Sequence, residues 1–312
     1  MKRKNFGRDR GLTLRMLATG GLLGLLYVVF AVVLFSALKV GLVPMLVIVI
    51  GLAVVQYYTS DKLALAASGA KIVSEQDAPE LHAMVGRLCA MAGLPKPRVA
   101  VVDTDVPNAF ATGRNPDHAV IAVTTGLWRR LEPQEIEAVL AHELSHVANR
   151  DVLVMTVASF FAMLAALITR FGLYFGMFGG FGGGGGGGRS NNNNQGGVPI
   201  WLIVLAVSIV TYAISYVLIR TLSRYREYAA DRGSALITGA PENLMSALQK
   251  ISSGITQIPQ RDLREVAGMN AFFIMPTNWR QQMSEIFMDH PPLEKRLAAH
   301  SAIAREMGRP VA

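Results

Sequence analysis

The chain has 312 residues, 51% of them hydrophobic, and the apolar residues gather in two blocks, which excludes a single large soluble core. Its net charge of +8 comes largely from lysines and arginines beside those blocks, and no nucleic-acid-binding motif accompanies it, so nucleic acid is not an expected partner. The single cysteine, Cys89, excludes an intrachain disulfide and is expected in the core.

Apolar runs near the N-terminus predict a transmembrane hairpin. Residues 1–15 form a basic tail, and apolar runs at 16–38 and 40–58 follow it. A signal peptide is the competing interpretation. The first run is longer than the apolar region of a typical signal peptide and no clear cleavage site follows it, which favours a membrane hairpin over residues 16–58.

A second pair of apolar runs, at 152–173 and 198–219, predicts another hairpin over residues 152–220. Each run is near the ~20 residues that cross the hydrocarbon core, although buried helices that only dip into the bilayer are an alternative. Glycine and asparagine dominate residues 176–197, which predicts a flexible linker between these two runs.

Basic residues predict the orientation of the four runs. They are frequent in the tail before the first run and in the segment after the fourth, for example Arg220 and Arg224, and sparse on the connections between paired runs. By the positive-inside rule, both termini and residues 59–151 are therefore expected on the cytoplasmic side of the membrane.

The motif HELSH at 142–146 lies on a predicted amphipathic helix that begins near Pro133. Because His142 and His146 are four residues apart, both imidazoles project from one face, as two ligands of a tetrahedral zinc ion require. Glu143 lies beside them, where its carboxylate can take a proton from an attacking water. The alternative is a helix with two surface histidines. Charged residues flank the motif too closely for hydrocarbon, which predicts a position at the membrane surface.

Two histidines leave zinc short of a protein ligand, and Glu227 is the best candidate for the third. Asp231 follows four residues later on the same face of a predicted helix. Glu227 is predicted to ligate the metal, and Asp231 to accept a hydrogen bond from the far nitrogen of a ligating histidine. For Glu227 alone, the alternative is an exposed acid in a basic helix.

Four segments of the sequence, taken together, resemble one known family. They are HELSH at 142–146, EYAAD at 227–231, PNAFATG at 107–113 and HPPLEKR at 290–296. In this order they resemble the HtpX-type heat-shock membrane proteases, relatives of the CAAX prenyl proteases in the gluzincin group. The resemblance covers nearly the whole chain, although the glycine–asparagine segment is longer and simpler than expected for the family. It implies a zinc-dependent endopeptidase of the bacterial inner membrane that acts in membrane-protein quality control.

Two further residues have open roles. The PNAFATG segment lies between β-like runs at 98–102 and 118–123, which predicts a small sheet whose outer strand lines the cleft. Asn108 is expected to hydrogen-bond the substrate backbone or to serve only the turn. His290 is expected to donate to the oxyanion of the reaction, or else to cap a helix.

The sequence therefore predicts an α+β, multi-span membrane protein with four transmembrane helices. Its mostly helical, zincin-type catalytic domain, with a small β-sheet, is expected from residues 59–151 and 221–312. The expected cofactor is one zinc ion, and the expected partners are the lipid bilayer and protein or peptide substrates, membrane proteins among them; the oligomeric state is open. The alternatives are a CAAX-type processing protease and a non-catalytic, zinc-stabilised membrane scaffold, which would typically use four protein ligands.

Overall fold

The computed structural model describes residues 10–38, 42–179, 200–257 and 291–309. The first nine residues of the predicted tail, most of the glycine–asparagine linker and His290 therefore lie outside the described residues. The chain divides into two compact units. The first comprises Met1–Leu17, Tyr57–Thr156 and Arg220–Ala312, and the second comprises Ala18–Gln56 and Val157–Ile219.

Two long helices open the chain, α1 at Arg10–Leu38 and α2 at Leu42–Ser68. Their apolar residues are exposed over most of the surface, as expected for helices that face lipid and not water. In the second unit, α1 buries Phe30 and Leu34 in a cluster with Ala165 and Val204 from the later helices of that unit.

A four-stranded sheet follows, formed by β1 at Lys71–Ile72, β2 at Arg98–Val102, β3 at Ala109–Thr112 and β4 at Val120–Thr124; helix α3, at Pro79–Ala92, joins β1 to β2. The strand order is β1-β2-β4-β3, in which only β2 and β4 are parallel. The predicted small sheet is thus present, and the PNAFATG segment itself supplies its edge strand β3.

A tight connection links β3 to β4. Gly113 has a φ of +128°, and a Cβ at this position would lie 2.5 Å from the carbonyl oxygen of His118. Only glycine combines that dihedral with that approach. A 3-10 helix at Pro116–His118 completes the connection, where the side chain of Asn115 accepts a hydrogen bond from the N–H of His118.

Helix α4 spans Thr125–Arg130, and helix α5, which carries the HELSH motif, spans Pro133–Asn149. Proline at the first position of α5 suits a helix start, and the side chain of Glu135 accepts a hydrogen bond from the N–H of Glu132. The middle of α5 is buried on all sides, since every residue from Ala138 to Ser145 is buried, and Leu140 and Leu144 pack in the core with α3 and the sheet. Truncation of either leucine to alanine would cost roughly 2–5 kcal/mol.

The remaining described helices are α6 at Asp151–Gly179, α7 at Ile200–Thr238, α8 at Pro241–Gln257 and α9 at Leu293–Glu306. Helix α8 packs on α5, where Ser246 and Lys250 both bond the Glu135 carboxylate, at 2.6 and 2.9 Å. This contact fixes the N-terminal end of the helix that carries the motif.

Among the described residues, three helices are long and apolar enough to cross a membrane: Arg10–Ser36, Asp151–Arg170 and Leu202–Thr238. Within α2, the apolar stretch Val47–Ser60 is shorter. The mostly helical architecture with a small sheet is as predicted, whereas the count of four spans is not confirmed and stays a prediction.

Candidate metal centre

His142 and His146 lie one turn apart on α5, and their rings meet edge to face. Their Nε2 atoms are 3.2 Å apart, and the two ring planes meet at 89°. His142 is buried, while His146 is partly exposed. Two imidazole nitrogens turned towards the same small volume are an arrangement suited to sharing one cation.

Glu227 reaches this histidine pair from α7. One carboxylate oxygen lies 3.5 Å from Nε2 of His142, and the other lies 3.4 Å from Nε2 of His146. One ligand atom from each of the three residues lies within 4.8 Å of the others. Two imidazoles and one carboxylate are the donor set of a catalytic zinc site with an open fourth position, so the residues present fit this ion.

Close packing of α7 on α5 brings Glu227 to the histidines. A Cβ on Gly233 would lie 2.3 Å from Oγ of Ser145, so only a residue without a side chain fits between the helices here. One residue later, the hydroxyl of Ser234 donates a hydrogen bond of 2.7 Å to the carbonyl of Ala138 on α5. The distance between the helices, and with it the reach of Glu227, is therefore fixed by these contacts.

A buried aspartate contacts the Nδ1 atom of each imidazole. Oδ1 of Asp231 lies 3.0 Å from Nδ1 of His142, and Oδ2 of Asp151 lies 2.6 Å from Nδ1 of His146. The other oxygen of Asp151 forms an ion pair of 2.9 Å with Nε of Arg226. A carboxylate on Nδ1 fixes the tautomer, so that Nε2 of each ring is the nitrogen free to bind a metal.

A buried arginine on α9 balances the acidic residues. Arg296 is 0% exposed, and its Nη2 and Nε lie 2.5 and 3.0 Å from the two carboxylate oxygens of Asp231. Its Nη1 lies 3.5 Å from Glu227, and Nε2 of the buried His300 lies 3.5 Å from Asp231. Such a bidentate arginine both neutralises and orients the aspartate.

Glu143 is buried next to the histidines and contacts the edge of the sheet. Its Oε2 accepts a hydrogen bond of 2.9 Å from the main-chain N–H of Ala111 in β3. Burial raises the pKa of the Glu143 carboxyl above its ordinary value, against the opposing effect of the two histidines. A carboxylate with a raised pKa is a better proton acceptor, which is the property a general base requires.

The carboxylates around the histidines favour protonation of both rings in the metal-free protein. Burial lowers the pKa of His146, but Asp151 and Glu227 outweigh that effect and raise the pKa to about 10. Burial opposes protonation of His142 as well, and Asp231 and Glu227 again raise its pKa. A divalent cation would replace these protons, because a ligating imidazole must be neutral.

The predicted metal and base residues thus come together, along with Asp231. Asn108 is fully buried, and its main-chain N–H and carbonyl both bond to Thr124, so its contact with substrate stays a prediction. The sequence interpretation missed Arg296 and His300, although Arg296 belongs to the quoted HPPLEKR segment. It also missed the N–H of Ala111, for which no sequence signal exists because every residue except proline carries that group.

Comparison with known proteins agrees with this geometry. A sequence model described as Peptidase family M48 matches residues 75–304. The chain is similar to protease HtpX homolog 2 of Methanosarcina acetivorans, with 52% identity over 98% of this chain and 100% of the relative. It is also similar to the protease HtpX homolog of Moorella thermoacetica, with 52% identity over 98% of each chain. Protease HtpX homolog 1 of Streptomyces coelicolor is 49% identical over 97% of this chain and 96% of the relative.

A solved structure has a similar fold. The crystal structure of S. mikatae Ste24p superposes with a TM-score of 0.51 at 21% identity. The similarity covers 93% of this chain but only 64% of the Ste24p chain.

Proposed function

Because this chain belongs to peptidase family M48, and is thus a membrane-associated metalloprotease of the HtpX type, we propose that it is a zinc endopeptidase of the bacterial inner membrane. Its substrates are misfolded or damaged membrane proteins, which it cleaves at the cytoplasmic face. The observation that carries the proposal is the convergence of His142, His146 and Glu227 beside the buried carboxylate of Glu143.

The donor set supports zinc as the ion. His142, His146 and Glu227 would hold it, and the carboxylates of Asp151 and Asp231 would keep the two Nε2 atoms aimed at it. When bound, zinc supplies Lewis-acid chemistry, since it polarises a carbonyl and makes a nearby water more acidic.

Glu143 moves the proton in the proposed mechanism. Its carboxylate takes a proton from the attacking water and later delivers it to the nitrogen of the leaving amine. The N–H of Ala111 holds the carboxylate in place for both transfers. Strand β3 lies at the edge of the sheet next to this carboxylate, and an extended peptide can pair with such an edge through main-chain hydrogen bonds.

The activity is tested with the purified full chain in detergent and an unfolded soluble protein as substrate. We expect many cuts in the substrate, loss of cleavage when a chelator removes the metal, and recovery when one equivalent of zinc is returned. Cleavage that persists after the metal content has fallen to zero would exclude the metalloprotease mechanism. A single cut near one terminus would instead identify a processing protease of the CAAX type.

The orientation is tested by cysteine labelling. The native Cys89 is buried, and burial raises the pKa of its thiol to about 11, so it should react little with a maleimide. Ser253→Cys adds an exposed thiol on α8. We expect a membrane-impermeant maleimide to label this variant in inside-out vesicles and not in intact spheroplasts. The reverse pattern would put the catalytic domain on the outer side.

A further inference from the structure

A cavity of about 350 Å³ lies in the first unit, on the side where two apolar helices join it. Side chains from the end of α2, the connection between β3 and β4, and the junction of α5 with α6 line it. The lining residues that matter here are Tyr57, Arg114, Asn115, Asp117, Arg150 and Leu153. None of them belongs to the metal centre described above.

The position of the cavity along the apolar helices matches the depth of lipid headgroups. Tyr57 is near the end of the apolar stretch Val47–Ser60 of α2. Leu153 is in the first turn of α6, at the beginning of the apolar helix Asp151–Arg170. The lining of the cavity therefore includes residues at the ends of two apolar stretches, and tyrosine is enriched at the headgroup level in membrane proteins.

The cavity is positively charged. It has two arginines and, among the described residues that line it, one acid, the exposed Asp117. The guanidinium carbon of Arg114 lies 5.5 Å from the ring centroid of Tyr58, a cation–π contact that orients this side chain. Arg150 is exposed and forms no ion pair with any carboxylate of the described residues. Its charge is therefore available to a ligand.

The backbone of Arg150 is unusual. With a φ of +57°, it is the non-glycine residue in the left-handed region among the residues that the structure describes. It ends α5 and is followed directly by α6, at a helix terminus where glycine or asparagine would fit with less strain. An arginine in such a conformation points to a role for its side chain.

We infer that this cavity binds the phosphate of an anionic phospholipid from the surrounding bilayer. The guanidinium groups of Arg114 and Arg150 bind the phosphate oxygens, since a planar guanidinium matches phosphate geometry through paired N–H donors. The acyl chains, which a soluble phosphate lacks, contact the apolar side chain of Leu153 at the cavity. The assignment is independent of whether the chain cleaves proteins, because it concerns a separate group of residues.

Binding is measured with the delipidated full chain in a non-ionic detergent, by native mass spectrometry with dioctanoyl phosphatidylglycerol as the probe. We expect Arg114→Gln/Arg150→Asn to bind this lipid about tenfold or more weakly than the unchanged chain. Asparagine is chosen at Arg150 because it tolerates the left-handed backbone. The matched control is Arg87→Gln/Arg309→Gln, which removes the same charge from two exposed arginines outside the cavity and should bind as the unchanged chain does.

Binding measurements with two further ligands distinguish the possible kinds of site. Inorganic phosphate and dioctanoyl phosphatidylcholine should both bind far more weakly than the anionic lipid. Equal binding of inorganic phosphate would identify a soluble-anion site, and equal binding of phosphatidylcholine would identify an apolar groove; either result overturns the inference. Full retention of phosphatidylglycerol by the double variant would overturn it as well.

A variant that keeps the positive charge distinguishes loss of charge from a folding defect. Arg114→Lys/Arg150→Lys keeps both cations in the cavity but loses the paired guanidinium donors, so it should bind phosphatidylglycerol more weakly than the unchanged chain and more tightly than the neutral variant. The thermal midpoint and the zinc content of each variant are measured first, and both should match those of the unchanged chain. If the lysine variant binds as weakly as the neutral one while both remain folded, positive charge does not explain binding and the inference fails.

Discussion

The main-chain N–H of Ala111 donates a hydrogen bond of 2.9 Å to the carboxylate of Glu143. This contact joins the edge strand of the sheet to the helix that carries the two histidines. Because the donor belongs to the backbone, it is present whatever side chain occupies position 111, and it holds the carboxylate while leaving its second oxygen available for a water. The geometry of the base is thus set by the sheet as well as by its own helix.

We expect Glu143→Gln to abolish proteolysis while leaving zinc bound. The amide oxygen of glutamine can still accept the hydrogen bond from Ala111, but the amide cannot take a proton from water. The rate of cleavage of an unfolded substrate should fall roughly 10²–10⁴-fold. The zinc content, measured by atomic emission on the purified variant, should stay at one ion per chain.

Glu137→Gln is the matched control for that variant. Glu137 is on the same helix, but it forms a surface ion pair with Arg87 away from the histidines. Its replacement should change the cleavage rate less than about twofold, since exposed ion pairs contribute little. Unchanged proteolysis by Glu143→Gln would remove this residue from the mechanism.

The histidine pair and its base could be predicted from the sequence because helical spacing alone decides which side chains share a face. The full length of helix α7 was not predicted, although the sequence carries a signal for it. Its apolar residues stop near 219, which suggested the end of a span, whereas the helix continues to Thr238. No glycine or proline occurs between residues 200 and 232, so no local signal breaks it. The continuation puts Glu227 on the helix that also contains the apolar segment.

The ion cluster behind the histidines was harder to predict. Asp231 comes from α7, while Arg296 and His300 come from α9, some 65 residues away for the arginine. Charged residues with no periodic pattern are normally assigned to the surface, and their burial follows only from tertiary packing. Asp151 directly follows the helix that carries the motif, and that position alone suggests a supporting contact with the ligands.

Gly233→Ala should weaken zinc binding although position 233 contacts no ligand. The added methyl group would meet Ser145 at 2.3 Å and force α7 away from α5, so Glu227 would withdraw from the histidines. Overpacking of this kind costs roughly 1–3 kcal/mol. We expect a lower thermal midpoint and a zinc dissociation constant raised about tenfold or more, measured by competition with a chelating dye.

Gly86→Ala is the control for this substitution. Gly86 is also in a helix, but a Cβ there would have no heavy atom within 4 Å. Alanine at this position should leave zinc affinity unchanged and raise stability slightly, by up to about 1 kcal/mol. The double variant Ser145→Gly/Gly233→Ala should recover part of the lost zinc affinity. Unchanged affinity in Gly233→Ala would show that the helix contact does not control the position of Glu227.

Zinc affinity should rise with pH. The pKa of His146 is raised to about 10 in the metal-free protein, so near neutral pH zinc must displace a proton from this ring. Affinity should therefore increase about tenfold or more per pH unit between about pH 6 and pH 8. Without metal, the same shift stabilises the folded state below the ordinary histidine pKa of 6.5, and this contribution is lost as the pH rises towards about 10.

Calorimetric titration with zinc in buffers of different ionisation enthalpy measures the proton release directly. We expect at least one proton to leave per zinc bound near neutral pH. An affinity that is independent of pH, with no proton released, would mean that the carboxylates do not hold a proton on the histidine pair. The unchanged chain and the Glu143→Gln variant are both titrated from the metal-free form. They should release the same number of protons per zinc bound, since Glu143 is not a predicted ligand.

Arg296→Met should destabilise the protein far more than Arg296→Lys. Methionine fills much of the space but leaves the buried carboxylates of Asp231 and Glu227 without their cation, and removal of one partner of a buried ion pair costs roughly 3–5 kcal/mol. Lysine keeps the charge but loses the paired donors to Asp231, so it should retain part of the stability and bind zinc more weakly. Thermal unfolding of the metal-free and zinc-bound forms measures both effects, with Arg309→Gln, which breaks an exposed pair with Glu242, as the control. If Arg296→Met unfolds at the same temperature as the control, Asp231 does not depend on Arg296 for its charge balance.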